Sequence, residues 1–494
     1  MPVRHSDAKR KNPRAKRFPH QPQLLMRRRL RRGILRLRLT MTGVALLALI
    51  VLTVIANAAP AALAAPATPA ASPKPATPIE HFLVVMQENH TFDNYFGTYP
   101  GADGIPAGTC MPVQPNNPAN KDCVKPFHLV GGKSTDLDHS GQTSKLQYAN
   151  GQMNGFVSAL EERNQDGAMA MGYYNDEELP YYWNLADQYV LFDRFFSSAT
   201  SGSDSNHMFW VAAAPTTREG EASPDGYGDL ETIFDRLQAS GVSWKFYVQN
   251  YDPKLTYRTV SQYPGNRASQ VIWVPLLKIP RFIDNPELSS HIVPLTEYFD
   301  DLHNGTLPAV AYIVPSGASE HPPSSLISGQ RFVQSLINAL MQSSSWDSSA
   351  FILAYDDWGG WYDHVKPPVV DQNGYGFRVP ALLVSPYAKK GYIDNTTLDF
   401  TSMLKFIEQN WHLKPLTERD AKANNLLSAF DFTSSPRVPA FVSWDRHPTV
   451  TPEPRRGVLY AAYGGALGIT GLIIVAALLL PRLRRRSTGL GNAT

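Results

Sequence analysis

Four separated stretches hold the side chains best suited to chemistry. "LVVMQENHTFDNYFG" (83–97) leaves an apolar run and at once presents Glu88, Asn89 and His90. "SGASEHPP" (316–323) offers Glu320 and His321, and "YDDWGGWYDHV" (355–365) offers Asp356, Asp357, Asp363 and His364. "RFFSSATSGSDSNHMFW" (194–210) is dense in hydroxyls, with Gly202 just before Ser203 and Asn206-His207 turning toward an apolar run. Oxygen donors and imidazoles in this mixture suit a divalent cation that keeps one position open for substrate. Adjacent carboxylates such as Asp356 and Asp357 repel one another unless a cation lies near them. Taken singly, the Asp pair reads as a solvated turn, Glu88-Asn89 as a helix cap and the serine stretch as a surface loop. Their shared position, after separate apolar runs, favours a site.

The elements that must position these residues alternate in type. "HFLVVM" (81–86), "SWKFYV" (243–248), "AVAYIVP" (309–315), "AFILAY" (350–355) and "PALLVSP" (380–386) are short β-rich runs, as expected of strands covered on both faces. Between them, "DLETIFDRLQASG" (229–241), "GQRFVQSLINALMQ" (329–342) and "DFTSMLKFIEQNW" (399–411) carry apolar residues at helical spacing. The first of these predicts Asp229 as an N-cap and Gly241 as a stop. Such alternation implies an α/β fold with a mostly parallel sheet between helices, and ligands then bind beyond the carboxyl ends of the strands.

Charge is distributed unevenly along the 494 residues. Residues 1–40 hold 14 Lys/Arg and a single acid, Asp7, and residues 455–494 hold six Arg and no acid. Setting the ends aside leaves 26 basic against 42 acidic residues in 41–454, the wrong sign for a nucleic-acid binder. A basic leader, an apolar run near 41–56 and small residues around Ala62-Leu63-Ala64 make 1–64 a signal peptide or an N-terminal anchor. Residues 457–480 are long and apolar enough to cross a bilayer, and 481–494 form a basic tail that the positive-inside rule places in the cytoplasm. The expected order is a Pro/Ala linker (65–78), a folded unit (79–435) and a spacer (436–456) between membrane segments at both ends. The folded unit then faces outward at the cell membrane, where Cys110 and Cys123 are expected to form a local disulfide.

The motif "QENHTFDNYFG" resembles the opening of a bacterial phosphoesterase family containing secreted phospholipases C and an acid phosphatase branch, within the alkaline-phosphatase-like superfamily. The similarity continues in order through "DLDHS" (136–140), "MNGF", "MGYY", "LPYYWNLADQYVLFDRFFSS", "EHPP", "YDDWGGWYDHVKPP" and "GFRVPALLVSPYAKKGYID". It covers nearly all of 79–412. The resemblance implies an alkaline-phosphatase-like α/β/α sandwich. It matches Glu88, Asn89, Asp356 and Asp357 to metal positions, and Ser203 to the hydroxyl nucleophile that forms a covalent phospho-enzyme. It matches His139, His321 and His364 to active-site histidines, and His207 stands where the phospholipase branch usually has Arg. Asp357-Trp358 replaces a usual Glu-His, which brings the chain closer to the phosphatase branch.

The expectation is therefore an extracytoplasmic, metal-dependent phosphoesterase, phosphatase-like, with phospholipase C action on lipid head groups as the alternative. Oxygen-rich ligation points to Ca²⁺, Mg²⁺ or Mn²⁺. A reading of another class, a surface binding protein on an inactive hydrolase fold, would use Trp358, Trp361 and Tyr362 as exposed platforms for a sugar.

Overall fold

The computed structural model describes residues 73–215 and 226–446. Eight strands form one sheet: β1 (His81–Gln87), β2 (Val190–Phe192), β3 (Trp244–Val248), β4 (Ile292–Pro294), β5 (Val310–Val314), β6 (Ser349–Tyr355), β7 (Ala381–Val384) and β8 (Tyr392–Asp394). Their order across the sheet is β8-β2-β7-β6-β1-β5-β3-β4. Every pairing is parallel except the two made by β7, which runs against both β6 and β2. Residues of β1 from Phe82 onward and all of β6 are buried, so both faces of the sheet are covered. The expected α/β class and mostly parallel sheet are thus observed.

Six helices pack around the site or support it: α1 (Phe92–Phe96), α2 (Pro180–Gln188), α3 (Ser203–Ala212), α4 (Ile233–Ala239), α5 (Leu326–Gln342) and α6 (Phe400–Asn410). Two boundaries depart from the sequence pattern. Helix α4 is capped by Thr232 rather than Asp229, because the Thr232 N–H donates to Asp235 Oδ2 at 2.7 Å in a capping box. Asp229 instead accepts from Arg281 at 3.0 Å. Helix α5 starts at Leu326, with Ser325 capping the Ser328 N–H.

Register matters most at the middle of the sheet. Gln87 pairs with Tyr355, so β1 and β6 end at the same level. The Asp356 N–H then donates to the Gln87 carbonyl at 3.1 Å, which places Glu88-Asn89 beside Asp356-Asp357.

Cys110 and Cys123 form the expected disulfide. The end of the Pro/Ala linker is attached to the fold: Thr77 Oγ1 donates to Asn410 Oδ1 at 2.7 Å and Ile79 is fully buried. The described part of the expected spacer, 436–446, also packs on the domain. Trp444 stacks on Tyr181 and donates to Gln334 Oε1 at 3.0 Å, while Arg446 donates to Asn184 Oδ1 at 2.8 Å. The segments 1–64, 457–480 and 481–494 lie outside the described residues; among the described ones, no helix is long and apolar enough to cross a membrane.

Candidate active site

The ends of β1 and β6 deliver four oxygen-bearing side chains to one place. Asn89 adopts a left-handed backbone with φ of 62°, turning the chain sharply after Glu88. Its N–H donates to Asp356 Oδ1 at 3.0 Å, and the same oxygen accepts the Asp357 N–H at 2.7 Å. Gly359 must pack directly against Asn89, where a Cβ would collide with the Asn89 carbonyl, and its φ of +59° suits glycine.

Ser203 is the first residue of α3, just after its Gly202 cap. Asn206 fixes that turn. Its Oδ1 accepts the Ala199 N–H at 2.9 Å, and its Nδ2 donates to the carbonyls of Ser201 at 2.9 Å and Gly202 at 3.1 Å. Ser203 Oγ consequently stands 3.4 Å from both Glu88 Oε2 and Asp357 Oδ2. One hydroxyl proton cannot serve two carboxylates.

The acids are almost wholly buried. Burial, and then the neighbouring charge of Asp356, push Glu88 well above the usual carboxylate range. Asn89 Oδ1 and Asp356 Oδ2 are buried and make no hydrogen bond among the described residues, with His207 Nε2 3.7 Å from Asp356 Oδ2. Three carboxylates, an amide oxygen without a donor and a serine hydroxyl form a donor set that a hard divalent cation satisfies. The residues present therefore fit a metal held by Glu88, Asn89, Asp356 and Asp357.

The four histidines expected at the site occupy different surroundings. His139 and His321 line a cavity of about 690 Å³ together with Glu88, Asp136, Ser203 and Trp273. Their rings meet edge to face at 5.5 Å. His139 donates from Nδ1 to the Leu137 carbonyl at 2.7 Å, which leaves Nε2 to accept from Asn89 Nδ2 at 3.1 Å. His321 donates from Nδ1 to the Pro322 carbonyl at 2.8 Å, so Nε2 is its remaining nitrogen. Burial opposes its protonation, but the Glu88 carboxylate holds it above the usual imidazole range. His207 is fully buried behind Glu88, with Nε2 at 3.2 Å from Glu88 Oε1; burial pushes it down to about 4. It orients Glu88 and does not line the cavity.

His364 is not brought to this cavity. Its ring is held by Asp93 Oδ2 at 2.8 Å and Asp103 Oδ1 at 3.2 Å, beside a buried Arg378 that pairs with Asp93 and Asp363. Glu320 and Asp363 are likewise turned into the protein. Trp358, Trp361 and Tyr362 are buried at 1%, 0% and 8% exposure, so the expected sugar platform does not exist. Trp358 spends its N–H on Gln147 Oε1 at 2.6 Å.

One functional neighbour had no signal in the motifs. Lys278 is buried and pairs with Asp204, the residue after Ser203, while Tyr227 Oη donates to Asp204 Oδ2 at 2.7 Å. Lys278 lies in a Pro-flanked apolar run that reads as core, which concealed it.

The chain is similar to known proteins over most of its length. The chain is 29% identical over 444 residues to phospholipase C B of Mycobacterium tuberculosis, covering 77% of this chain and 82% of that one. It is 27% identical over 467 residues to the non-hemolytic phospholipase C of Burkholderia pseudomallei, covering 76% and 63% respectively. A solved alkaline phosphatase superfamily protein from Vibrio parahaemolyticus aligns over 72% of this chain and 73% of its own, with 11% identity and a TM-score of 0.32. The sequence model of the Phosphoesterase family matches residues 79–414, from shortly before β1 to just beyond α6. The chain belongs to the Phosphoesterase family and is a hydrolase of phosphoester bonds.

Proposed function

We propose that Ser203 is the nucleophile of a metal-dependent phosphoesterase acting outside the cytoplasm. The observation that carries this reading is the placement of Ser203 Oγ at 3.4 Å from both Glu88 and Asp357, beside two buried oxygens that lack donors. A divalent ion held by Glu88, Asn89, Asp356 and Asp357 supplies Lewis acidity, lowering the hydroxyl's pKa and neutralising phosphoryl charge. Calcium, magnesium and manganese all suit these ligands. Ser203 Oγ gives its proton to an adjacent carboxylate, Asp357 or Glu88, and attacks phosphorus, and the bond to the leaving alkoxide breaks. The N-terminus of α3, where Ser203 stands, favours a phosphoryl anion electrostatically. His321, with Nε2 uncommitted, delivers a proton to the departing oxygen, and His139 keeps Asn89 in place. Water then releases phosphate, or the phosphate monoester of the retained group, from the serine.

A phosphatase reading and a phospholipase C reading share these steps. The second is favoured by the cavity, whose volume of about 690 Å³ exceeds the needs of a phosphate alone, and by the phospholipase C names of both relatives. The outward location rests on the basic and apolar pattern of 1–64 and 457–494, and the Cys110–Cys123 disulfide agrees with it.

The test is turnover of p-nitrophenyl phosphate beside p-nitrophenyl phosphorylcholine, with EDTA and with Ca²⁺, Mg²⁺ or Mn²⁺ restored. Metal-dependent cleavage that Ser203→Ala lowers by about 10³-fold or more is the expected result. Persistent turnover in that variant would remove Ser203 from its role. Cleavage of the monoester alone selects the phosphatase reading, and cleavage of the choline diester selects the phospholipase reading.

A further inference from the structure

Behind the cavity lies a carboxylate that takes no part in the proposed reaction. Glu320 is fully buried, and three tyrosine hydroxyls converge on it: Tyr95 at 2.5 Å, Tyr355 at 2.7 Å, and Tyr182 on the other oxygen. Its backbone is held as well. The Glu320 N–H donates to Gln87 Oε1 at 3.3 Å, and its carbonyl faces His90 Nε2 at 3.2 Å. Those two partners flank Glu88 and Asn89 in sequence, and Tyr355 directly precedes Asp356 and Asp357. The next residue after Glu320 is His321, whose ring enters the cavity.

A buried carboxylate costs a great deal unless it is fully hydrogen-bonded, and three hydroxyls are an unusually complete shell for a group far from solvent. An apolar side chain would fill the same space without that requirement. What the carboxyl hub adds is direction: it fixes His321 relative to the ends of β1 and β6 at once.

We propose that Glu320 is a positioning residue, which through its three tyrosine partners sets His321 against the ends of β1 and β6. This rests on the assignment of the cavity as a phosphoester site. Glu320 touches no substrate and acts through His321. Glu320→Gln preserves size but turns an amide N–H₂ toward hydroxyls that already donate, so the hub loses partners and His321 loses its fixed place.

The experiment is a double-mutant cycle in the full chain, combining Glu320→Gln with His321→Ala. It is read by kcat and KM on the better p-nitrophenyl ester, and separately by calorimetric binding of inorganic phosphate to the Mn²⁺-treated chain. Alone, Glu320→Gln is expected to lower kcat by about 10- to 100-fold, the scale of a misplacement near 1 Å, with KM within about twofold. In the His321→Ala background the same change is expected to cost less than about threefold, because the residue it acts through is gone. Costs that multiply in both readouts would overturn the proposal and leave Glu320 with a purely structural role. If Glu320→Gln does not fold, Tyr355→Phe removes one donor at conserved shape and enters the same cycle with the same two outcomes. An unsubstituted chain that neither hydrolyses the esters nor binds phosphate would sink the underlying site assignment instead, and with it this proposal.

Discussion

Replacing Gly329 by alanine sets two effects of opposite sign against each other. Gly329 lies inside α5, where exchanging glycine for alanine ordinarily stabilises a helix by about 1 kcal/mol. A Cβ at this position, however, would enter the space of Glu320, overlapping its Oε1, Cγ and Cδ. Glu320 cannot swing aside without leaving Tyr95, Tyr182 and Tyr355. Overpacking a filled core costs about 1–3 kcal/mol, and leaving one buried tyrosine hydroxyl without its acceptor costs about 1–3 kcal/mol. The unfavourable effects win, and the net loss is about 1–5 kcal/mol after the helix gain is subtracted. For a domain of this size, where 1 kcal/mol moves Tm by only about 1.3 °C, that corresponds to a fall of roughly 1–7 °C. Thermal unfolding followed by circular dichroism measures it, with urea midpoints at unchanged slope as a second reading. In a Glu320→Ala background the clash disappears, and Gly329→Ala is expected to raise Tm by about 1 °C. A rise in the otherwise unsubstituted chain would refute the reasoning, since it would mean that Glu320 is free to move.

The geometry fixes three other outcomes. Treatment with EDTA is expected to abolish turnover, and Mn²⁺ at about 100 times its Kd to stabilise the fold by about 2.7 kcal/mol relative to the stripped chain; an unchanged Tm on adding Ca²⁺, Mg²⁺ or Mn²⁺ would count against metal binding by Glu88, Asn89, Asp356 and Asp357. Glu408 is pushed up to about 9 by burial and then by its hydrogen bond to Asp420. Its folded form thus holds a proton that the unfolded chain releases near 4.5, so its contribution is complete below that pH and is lost as pH rises through about 9. Glu408→Gln should flatten the fall of Tm between those values, and an equally steep fall in the variant would exclude Glu408 as the cause. His364→Gln removes the ring held by Asp93 and Asp103 and should lower stability by about 1–3 kcal/mol while kcat/KM stays within about threefold; a collapse of kcat/KM at unchanged Tm would make His364 part of the chemistry.

The middle of the fold was legible because its strands are continuous apolar runs. "HFLVVM", "AVAYIVP" and "AFILAY" coincide with β1, β5 and β6, the three neighbours that end at the site. Strands β2, β4 and β8, of three residues each, are too short for any periodicity to register. The reversed direction of β7 is also absent from its composition, since "PALLVSP" looks the same whichever way it runs. At the site, Glu88, Asn89, Asp356 and Asp357 stood out because they follow strands, whereas Ser203, one of six hydroxyls in its stretch, was singled out only by the family resemblance. The partners that hold them did not stand out. Lys278 is 74 residues from Asp204, and Tyr95 is 225 from Glu320. The aromatics of "WGGWYDH" looked exposed beside charged residues, yet Gly359 and Gly360, with φ of +59° and +83°, fold that turn back against Asn89 and Leu137 and bury them.

The histidines show why residue type alone underdetermines a role. His207 does not line the cavity, and burial outweighs the pull of nearby Asp356 and lowers its pKa to about 4, so it is suited to orienting Glu88 as a neutral ring. His364 lies between two carboxylates, where Asp93 outweighs burial and holds it above the usual imidazole range, which suits an ion pair in the fold. His139 has both nitrogens committed, one to a carbonyl and one to the Asn89 amide. His321 alone among the four combines a place in the cavity with a ring nitrogen that makes no hydrogen bond among the described residues. Proton delivery to a leaving oxygen requires both conditions, and position comes before acidity. That ordering places the burden on whatever fixes the His321 backbone, and the adjoining residue is the one that three tyrosines hold from behind.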